Sequence, residues 1–577
     1  MSNMSVPRRM IALSRRVTTL ASVSALALST VAPAWSAPPP IVPRADPPAR
    51  VGRLSRIAGA VSFHTEDATQ WSPAAVNYPF TNGDAFWTEP SARVDLQVAS
   101  NRLTLAPTTE LDVATLDDHT FATSEPQGET YLELRAVGSG DSYAVQTPRG
   151  LVQITGAGRY DVVAGDTDHP TLVTVVEGAA QVTGNNLSLQ VGPRQTATIS
   201  GTDTFQGNVG PIAQDAFLTA MLAEDRPAPR ASVPIPPIVQ GMTGCESLDT
   251  TGSWAETPQY GTVWYPPVEA GWVPYRHGHW SYVAPWGWTW VDDAAWGFAP
   301  FHYGRWAQID NRWGWIPVSP GGYADPVAAY PVPVYAPALV SFVDIGGAAV
   351  AGAAIGYAAG ALSGRSVGWV PLGPREAYYP PYRTNLNYVR GINATTIQNV
   401  NQSINTTTIT NNRTVVQNFF NRGAATVVPA AAMVQSQPVA AAARPLPPDQ
   451  FAHAQAQFRS PIAPAATTAG VTPAVARQFN FVAPTRPAQP VPGPAIHPAV
   501  LRAGPGHGFA GPALRAATAA EPAPAAASAN APHPGQTPTP AVAAPEARPA
   551  ETPGRPPAQA EAPHPEAAAR TPAPAPA

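Results

Sequence analysis

From Val51 to about residue 205, apolar and polar residues alternate with a period of two. Arg93-Val-Asp-Leu-Gln-Val98, Arg102-Leu-Thr-Leu105 and Glu129-Thr-Tyr-Leu-Glu-Leu134 each place their apolar residues on one face, as do 151–154, 160–163, 172–176 and 187–191. A strand turns successive side chains to opposite faces, so this period predicts half-buried strands. Turn signals separate the runs at Asn82-Gly83-Asp84, Gly138-Ser139-Gly140, Glu177-Gly178 and Gly184-Asn185-Asn186. Short strands at such spacing predict an all-β domain over 50–205, built as a sandwich, barrel or β-solenoid.

A second pattern is aromatic and repeats. Trp264 to Trp315 holds ten of the fifteen tryptophans. Trp272-Val-Pro-Tyr-Arg-His-Gly-His-Trp280 is echoed by Trp296-Gly-Phe-Ala-Pro-Phe-His-Tyr-Gly-Arg-Trp306, and a Trp-Gly-Trp follows each copy. Duplication at this spacing predicts one supersecondary unit built twice. Ala284-Pro285 breaks the first aromatic run and Asp310-Asn311 the second, which predicts two tandem β-hairpins over 254–320. Ten tryptophans, each with roughly 150–250 Å² to bury, exceed what so small a unit hides within itself. Either the hairpins pack their aromatic faces together, the arrangement favoured by the duplicated spacing, or one row stays open as a platform.

Outside these regions the pattern changes. Arginines at 8, 9, 15 and 16, an apolar stretch over 17–31 and small residues up to Ala37 predict a cleaved secretory signal over 1–37. A Pro-rich segment, 38–49, follows it. Residues 206–253 read as a connector with a short helix over 213–223, its apolar side formed by Phe217, Leu218, Met221 and Leu222, and an extended Pro-rich linker over 226–237. Residues 338–362 are long enough to span a bilayer and carry glycines at 352, 356 and 360, but Asp344 and the Gly/Ala content weigh against insertion. Residues 393–412, rich in Asn, Thr and Ile, suggest an edge strand or polar ladder. From about 436 to 577 the chain is rich in Pro and Ala, with too few large apolar residues to offset chain entropy, and is expected to be disordered.

Two stretches resemble known families. Arg56-Ile-Ala-Gly-Ala-Val-Ser62, Trp71, Asn82-Gly83-Asp84 before Thr88, Val145-Gln-Thr-Pro148, Gly158-Arg-Tyr160, Val176-Glu-Gly178 and Gly192 resemble the FecR-like periplasmic domain in order and spacing. The resemblance implies the fold; FecR itself signals through a cytoplasmic anti-sigma segment and a transmembrane helix, and neither precedes the β domain here. Trp272-Val-Pro-Tyr, Ala284-Pro-Trp-Gly-Trp-Thr-Trp290, Asp292-Asp293 and 296–306 resemble a Trp-rich bacterial domain of unknown function often fused to FecR-like domains, continuing through 368–376 and 421–429. That resemblance implies an extracytoplasmic setting and no activity.

Composition narrows the chemistry. Net charge is −4 and only 12 % of residues are charged, which suggests no nucleic-acid partner. Cys245 is the only cysteine, so no internal disulfide forms, and the thiol is expected to be buried and inert. His277, His279 and His302 are the best candidate metal ligands, yet the repeat sets His302 opposite Arg276 rather than a histidine, so no metal is expected. Asp292, Asp293 and Glu269 suggest a glycosidase carboxylate pair, but neighbouring strand residues face apart. Gly-x-Ser-x-Gly in a usable context, phosphate loops and Cys-pair metal motifs are absent. Trp280, Trp286, Trp288 and Trp290, with Arg276 and Arg305 stacked beside aromatics, are the candidate ligand-binding residues.

The expectation is therefore a secreted, non-enzymatic protein of the periplasm or cell envelope without cofactors. It would serve as an interaction or scaffolding module, with peptidoglycan, another polysaccharide or an envelope protein as partner. The alternative is an accessory component of trans-envelope signalling.

Overall fold

A computed structural model describes residues 46–66, 71–225, 233–323, 333–344, 365–397, 414–415, 419–445, 455–457, 460 and 462. Two units divide the chain at Gly511, and every described residue lies in the first.

The alternating region is a sandwich of two nine-stranded sheets. One sheet runs Gln206–Pro211, Gln195–Ser200, Thr171–Glu177, Gly158–Val163, Glu129–Leu134, Asn101–Leu105, Arg93–Val98, Gly52–Ala58 and Pro79–Phe80. The other runs Leu187–Val191, Ala180–Gly184, Gly150–Ile154, Ser142–Thr147, Thr120–Gln127, Glu110–Leu116, Ala85–Thr88, Val61–His64 and Ser72–Pro73. Leu96, Leu103 and Leu132 of the first meet Phe86, Val113 and Val152 of the second in one core, and Phe80 meets Phe86 edge-on at 5.3 Å. Strand order in each sheet nearly follows sequence order, so the chain advances along the sandwich as a solenoid does. The motif glycines serve this packing: a Cβ on Gly178 (φ 95°) would lie 2.0 Å from the Tyr160 hydroxyl, which donates to Gly156 O at 2.7 Å.

The connector carries ordered elements at both of its ends. Residues 206–211 form an edge strand of the sandwich, and the predicted helix is present as Ala216–Glu224, its Leu218 and Met221 buried against Tyr131. Of the Pro-rich stretch, 226–232 lies outside the described residues. Beyond it Ile238, Val239, Met242, Cys245 and Leu248 are buried in a core continuous with that of the sandwich.

Arg53 closes the seam between the sandwich and the tryptophan region. Its guanidinium donates to Gln97 Oε1 (2.7 Å), Asn77 Oδ1 (2.9 Å), Ser247 Oγ (2.8 Å) and Ala295 O (3.0 Å). Asn77 in turn donates to Asp292 O (2.9 Å) and Ala294 O (2.6 Å). Both side chains are fully buried, and burial pushes the Arg53 pKa down to about 10.

Both predicted hairpins form. Gly278–Val283 pairs with Gly287–Asp292, while Arg305–Ile309 and Arg312–Ile316 join Gly261–Tyr265 and Ser253–Thr257 in a four-stranded sheet. Asp310 and Asn311 take φ of 49° and 61°, the left-handed pair that a tight two-residue hairpin turn requires. Across that sheet Trp254, Trp264, Trp315 and Trp306 are directly paired from strand to strand, a buried row of four. Its other face carries a smaller cluster of Tyr260, Val263, Tyr265, Ala307 and Ile316.

Val340–Asp344 and Ser366–Pro371 pair in a further, five-stranded sheet with Thr426–Pro429, Thr414–Val415 and Gln455–Gln457. The start of the candidate membrane span is thus a strand; 345–364 lie outside the described residues. No described helix is long and apolar enough to cross a membrane. Asn393 ends the helix Leu386–Asn393 instead of opening a strand, and 398–413 lie outside the described residues. The Trp-rich region, which the sequence predicts over 254–435, also runs past that bound: Val439–Ala442 is helical, and Ile462 is buried, its carbonyl accepting from Trp288 Nε1 at 2.8 Å. The remaining residues of the expected disordered tail lie outside the description.

Replacing Arg53 by Met strands several buried acceptors and is expected to cost about 3 kcal/mol. Urea unfolding of the full chain measures this; a loss below about 1 kcal/mol would show that water or neighbouring donors replace the guanidinium.

Candidate functional site

The sequence candidates come together in the core, not at the surface. Trp280, Trp286, Trp288 and Trp290 are at most 6 % exposed. Trp280 packs against Trp290, Phe342 and Trp369 with ring centroids 5.2–5.6 Å apart, and Trp290 Nε1 donates to Asp292 Oδ2 at 3.1 Å. They therefore offer no platform. The duplicated spacing encodes their packing, and strands and loops from elsewhere in the chain cover both faces of this hairpin. Arg305 is buried rather than stacked: it donates to Glu376 O (2.9 Å), Gly304 O (2.7 Å) and Asn393 Oδ1 (3.0 Å). Arg276 is half-buried and reaches Thr426 Oγ1 and Ala425 O at 3.4 Å.

The histidines separate. His277 is exposed, whereas His279 and His302 are buried, with His302 Nδ1 2.8 Å from Ala336 O. Among the described residues no group of three metal-ligating side chains forms. Burial pushes His279 down to about 4 and His302 to about 3. The carboxylates differ in setting too: Asp292 is buried and raised well above the usual range by burial, whereas Asp293 is exposed and Glu269 is exposed on a separate turn. Cys245 is buried and its thiol is pushed up to about 12, chiefly by burial.

The surface instead offers a cleft of about 630 Å³ beside the four-stranded sheet. Its aromatic walls are Trp272, Trp313 and Phe420; its polar lining includes Glu269, Gln308, Asn311 and Arg312. Three local structures build it. Glu269-Ala-Gly-Trp272 is a turn closed by Trp272 N–H to Glu269 O (3.2 Å), with Gly271 at φ 88°, as a type II turn demands at its third position. The second hairpin supplies Gln308 directly opposite Trp313, with Asn311 and Arg312 at and after its turn. The third wall is set from far away: Phe420 N–H donates to Glu376 Oε1 (2.7 Å), and Asn421 Nδ2 to Trp306 O (2.8 Å).

Trp313 and Trp315 share one strand face, so the buried row runs outward into this cleft. Trp272 bridges the two, lying 5.4 Å from Trp306 and 5.9 Å from Trp296 while remaining half-exposed. Phe420 is 47 % exposed, unusual for so large an apolar ring. Of these residues the sequence offered only Glu269 as a candidate for chemistry; Trp272 stood out only as part of the repeat and Asn311 only as part of a turn. The usable signal was the Glu269–Gly271 turn beside a tryptophan outside both Trp-Gly-Trp motifs; nothing local marked Phe420.

The model of a family of unknown function, DUF6600, matches residues 245–376. No curated protein matches. Two crystal structures from Parabacteroides distasonis ATCC 8503, provisionally described as an anti-sigma factor, align with 24 % of this chain at 18 % and 19 % identity. They give TM-scores of 0.21 and 0.20, and the alignments span 65 % and 63 % of those chains.

Two residues apart on one strand, Trp313 and Trp315 should respond differently to truncation. Trp315→Ala is expected to cost 3–5 kcal/mol, of the order of other buried Trp truncations, and Trp313→Ala less than about 1.5 kcal/mol. Equal losses in urea unfolding would contradict the cleft. The histidines give a second check. A folded pKa below the unfolded value of about 6.5 means that the native state binds fewer protons. The stability from neutral His279 is then complete above about 6.5 and lost as pH falls towards 4. Histidine-ring NMR should show two imidazoles still neutral at about pH 5; titration of all rings near 6.5 would contradict their burial.

Proposed function

We propose that this protein is an exported, non-enzymatic interaction module of the cell envelope whose DUF6600 domain holds a saccharide chain in the cleft. The carrying observation is the set of partly exposed aromatic faces, Trp272, Trp313 and Phe420, interleaved with the exposed side chains of Gln308 and Asn311. Pyranose rings have apolar C–H faces that stack on aromatic rings and hydroxyl edges that exchange hydrogen bonds with amides. Glu269 is the one carboxylate in the described lining, whereas glycoside hydrolysis generally uses two, which favours binding over catalysis. Support for export comes from the basic front, apolar stretch and small residues at the N-terminus. The sandwich is read as FecR-like on its glycines and Thr147-Pro148, here as a rigid mount for the cleft.

The test is co-sedimentation of the full mature chain with purified peptidoglycan, followed by tryptophan fluorescence. Saturable binding is expected, weakened at least about tenfold by Trp272→Ala or Trp313→Ala with the fold intact, as loss of one stacked ring should do. No binding to peptidoglycan or to soluble oligosaccharides would overturn the reading and redirect the search to protein partners.

A further inference from the structure

A second chemistry fits the walls of this cleft. Trp272, Trp313 and Phe420 line it with partly exposed rings, and Gln308 pairs directly across the hairpin with Trp313, so its amide shares a sheet face with that indole. A polyproline II strand makes no internal hydrogen bonds; its rings pack on aromatic walls and its carbonyls stay open to amide donors. Two charged side chains belong to the described lining. Arg312 stacks 4.3 Å from the centre of the Tyr265 ring, on the opposite face of the sheet, whereas Glu269 is exposed on its turn. On the tryptophan side the cleft therefore combines aromatic rings, amides and a negative charge.

Beyond Ile462, the last described residue, the sequence holds a complement to these walls. Pro484-Thr-Arg-Pro-Ala-Gln-Pro490 sets three prolines three residues apart. Three residues make one turn of polyproline II, so in that conformation Pro484, Pro487 and Pro490 share one edge at intervals of about 9 Å. Residues 463–511 carry three arginines, Arg477, Arg486 and Arg502, and no carboxylate. The 22 residues from Ile462 to Pro484 span up to about 70 Å when extended, so reach is not limiting. We propose that residues 484–490 dock in cis in the cleft, the prolines against Trp272, Trp313 and Phe420, and Arg486 beside Glu269. This docking is additional to saccharide binding and competes with it. A tethered segment acts at an effective concentration on the order of 1 mM, so an intrinsic affinity of about 100 μM fills the cleft in about nine molecules of ten.

The measurement is titration of a peptide spanning 481–494, which contains no tryptophan, into the full mature chain carrying Pro484→Ser, Pro487→Ser and Pro490→Ser, followed by tryptophan fluorescence. Saturable binding near about 100 μM is expected. Adding Trp313→Ala to the chain, or placing the same three serines in the peptide, should weaken it at least about tenfold. Arg486→Gln in the peptide should weaken it about threefold and remove its salt dependence. The wild-type chain should bind the peptide about tenfold more weakly than the substituted chain, because its own segment holds the cleft. For the same reason the substituted chain should bind peptidoglycan about tenfold tighter than wild type, at an unchanged urea midpoint. No binding of the peptide to the substituted chain, binding that survives Trp313→Ala, or equal peptide affinity in the two chains overturns the docking and leaves the saccharide reading standing. Suppression in the wild type that fades as the chain is diluted would put the segment in the cleft of a second copy and overturn the cis arrangement. Peptide binding without peptidoglycan or oligosaccharide binding upholds the docking and sinks the saccharide reading.

Discussion

The assembly depends on one buried cation. Arg53 lies on a sandwich strand, yet one of its bonds reaches a carbonyl 242 residues away in the tryptophan region. Desolvating a guanidinium is costly, and no carboxylate touches it directly. Neutral acceptors hold it, and negative charge is supplied at one remove by Glu246, which Gln97 and Arg135 grip from the sandwich side. Each bonded group belongs to a different piece of chain: a strand, a turn, a short helix and the Trp-rich loop. Removing any one exposes a charged group that the others cannot satisfy alone, which fixes their mutual geometry more tightly than apolar contact would.

A second constraint comes from the indole N–H groups, which favour an acceptor once buried, although those of Trp280 and Trp306 have none among the described residues. Trp264 donates to Leu248 O, Trp315 to Tyr303 O, Trp369 to Tyr275 O and Trp288 to Ile462 O. The aromatic core therefore recruits backbone from before and well after the tryptophan repeat. One residue type thus takes two parts. Paired across strands, tryptophans fill the interior; where the row reaches the hairpin end, the same face opens and an indole becomes part of a wall.

Alternation made the sandwich legible. The strands Arg93–Val98, Glu129–Leu134 and Leu187–Val191 match their sequence reading to the residue, and the two hairpins turn where Ala284-Pro285 and Asp310-Asn311 placed them. Strands such as Thr120–Gln127, with buried Glu125 among polar neighbours, carry no clean alternation and escaped notice. Arg53 and Asn77 were illegible for another reason: their partners are remote, and a polar residue on a strand or in a turn ordinarily faces water. The cleft was only half legible, because period and repetition reveal which residues share a face and not what later segments lay over that face. Core packing of Trp286 and Trp288 was the favoured reading, but nothing local named the residues near 335 and 462 that cover them.

The recognisable DUF6600 segment begins at Cys245, but the seat that completes it is made by Arg53, Asn77 and Gln97, far upstream. What similarity delimits as a unit of inheritance is therefore not a unit of folding. Wherever this segment is grafted onto a different neighbour, the new host must bring its own replacement for a buried guanidinium and an amide, or the segment will be left with an open flank.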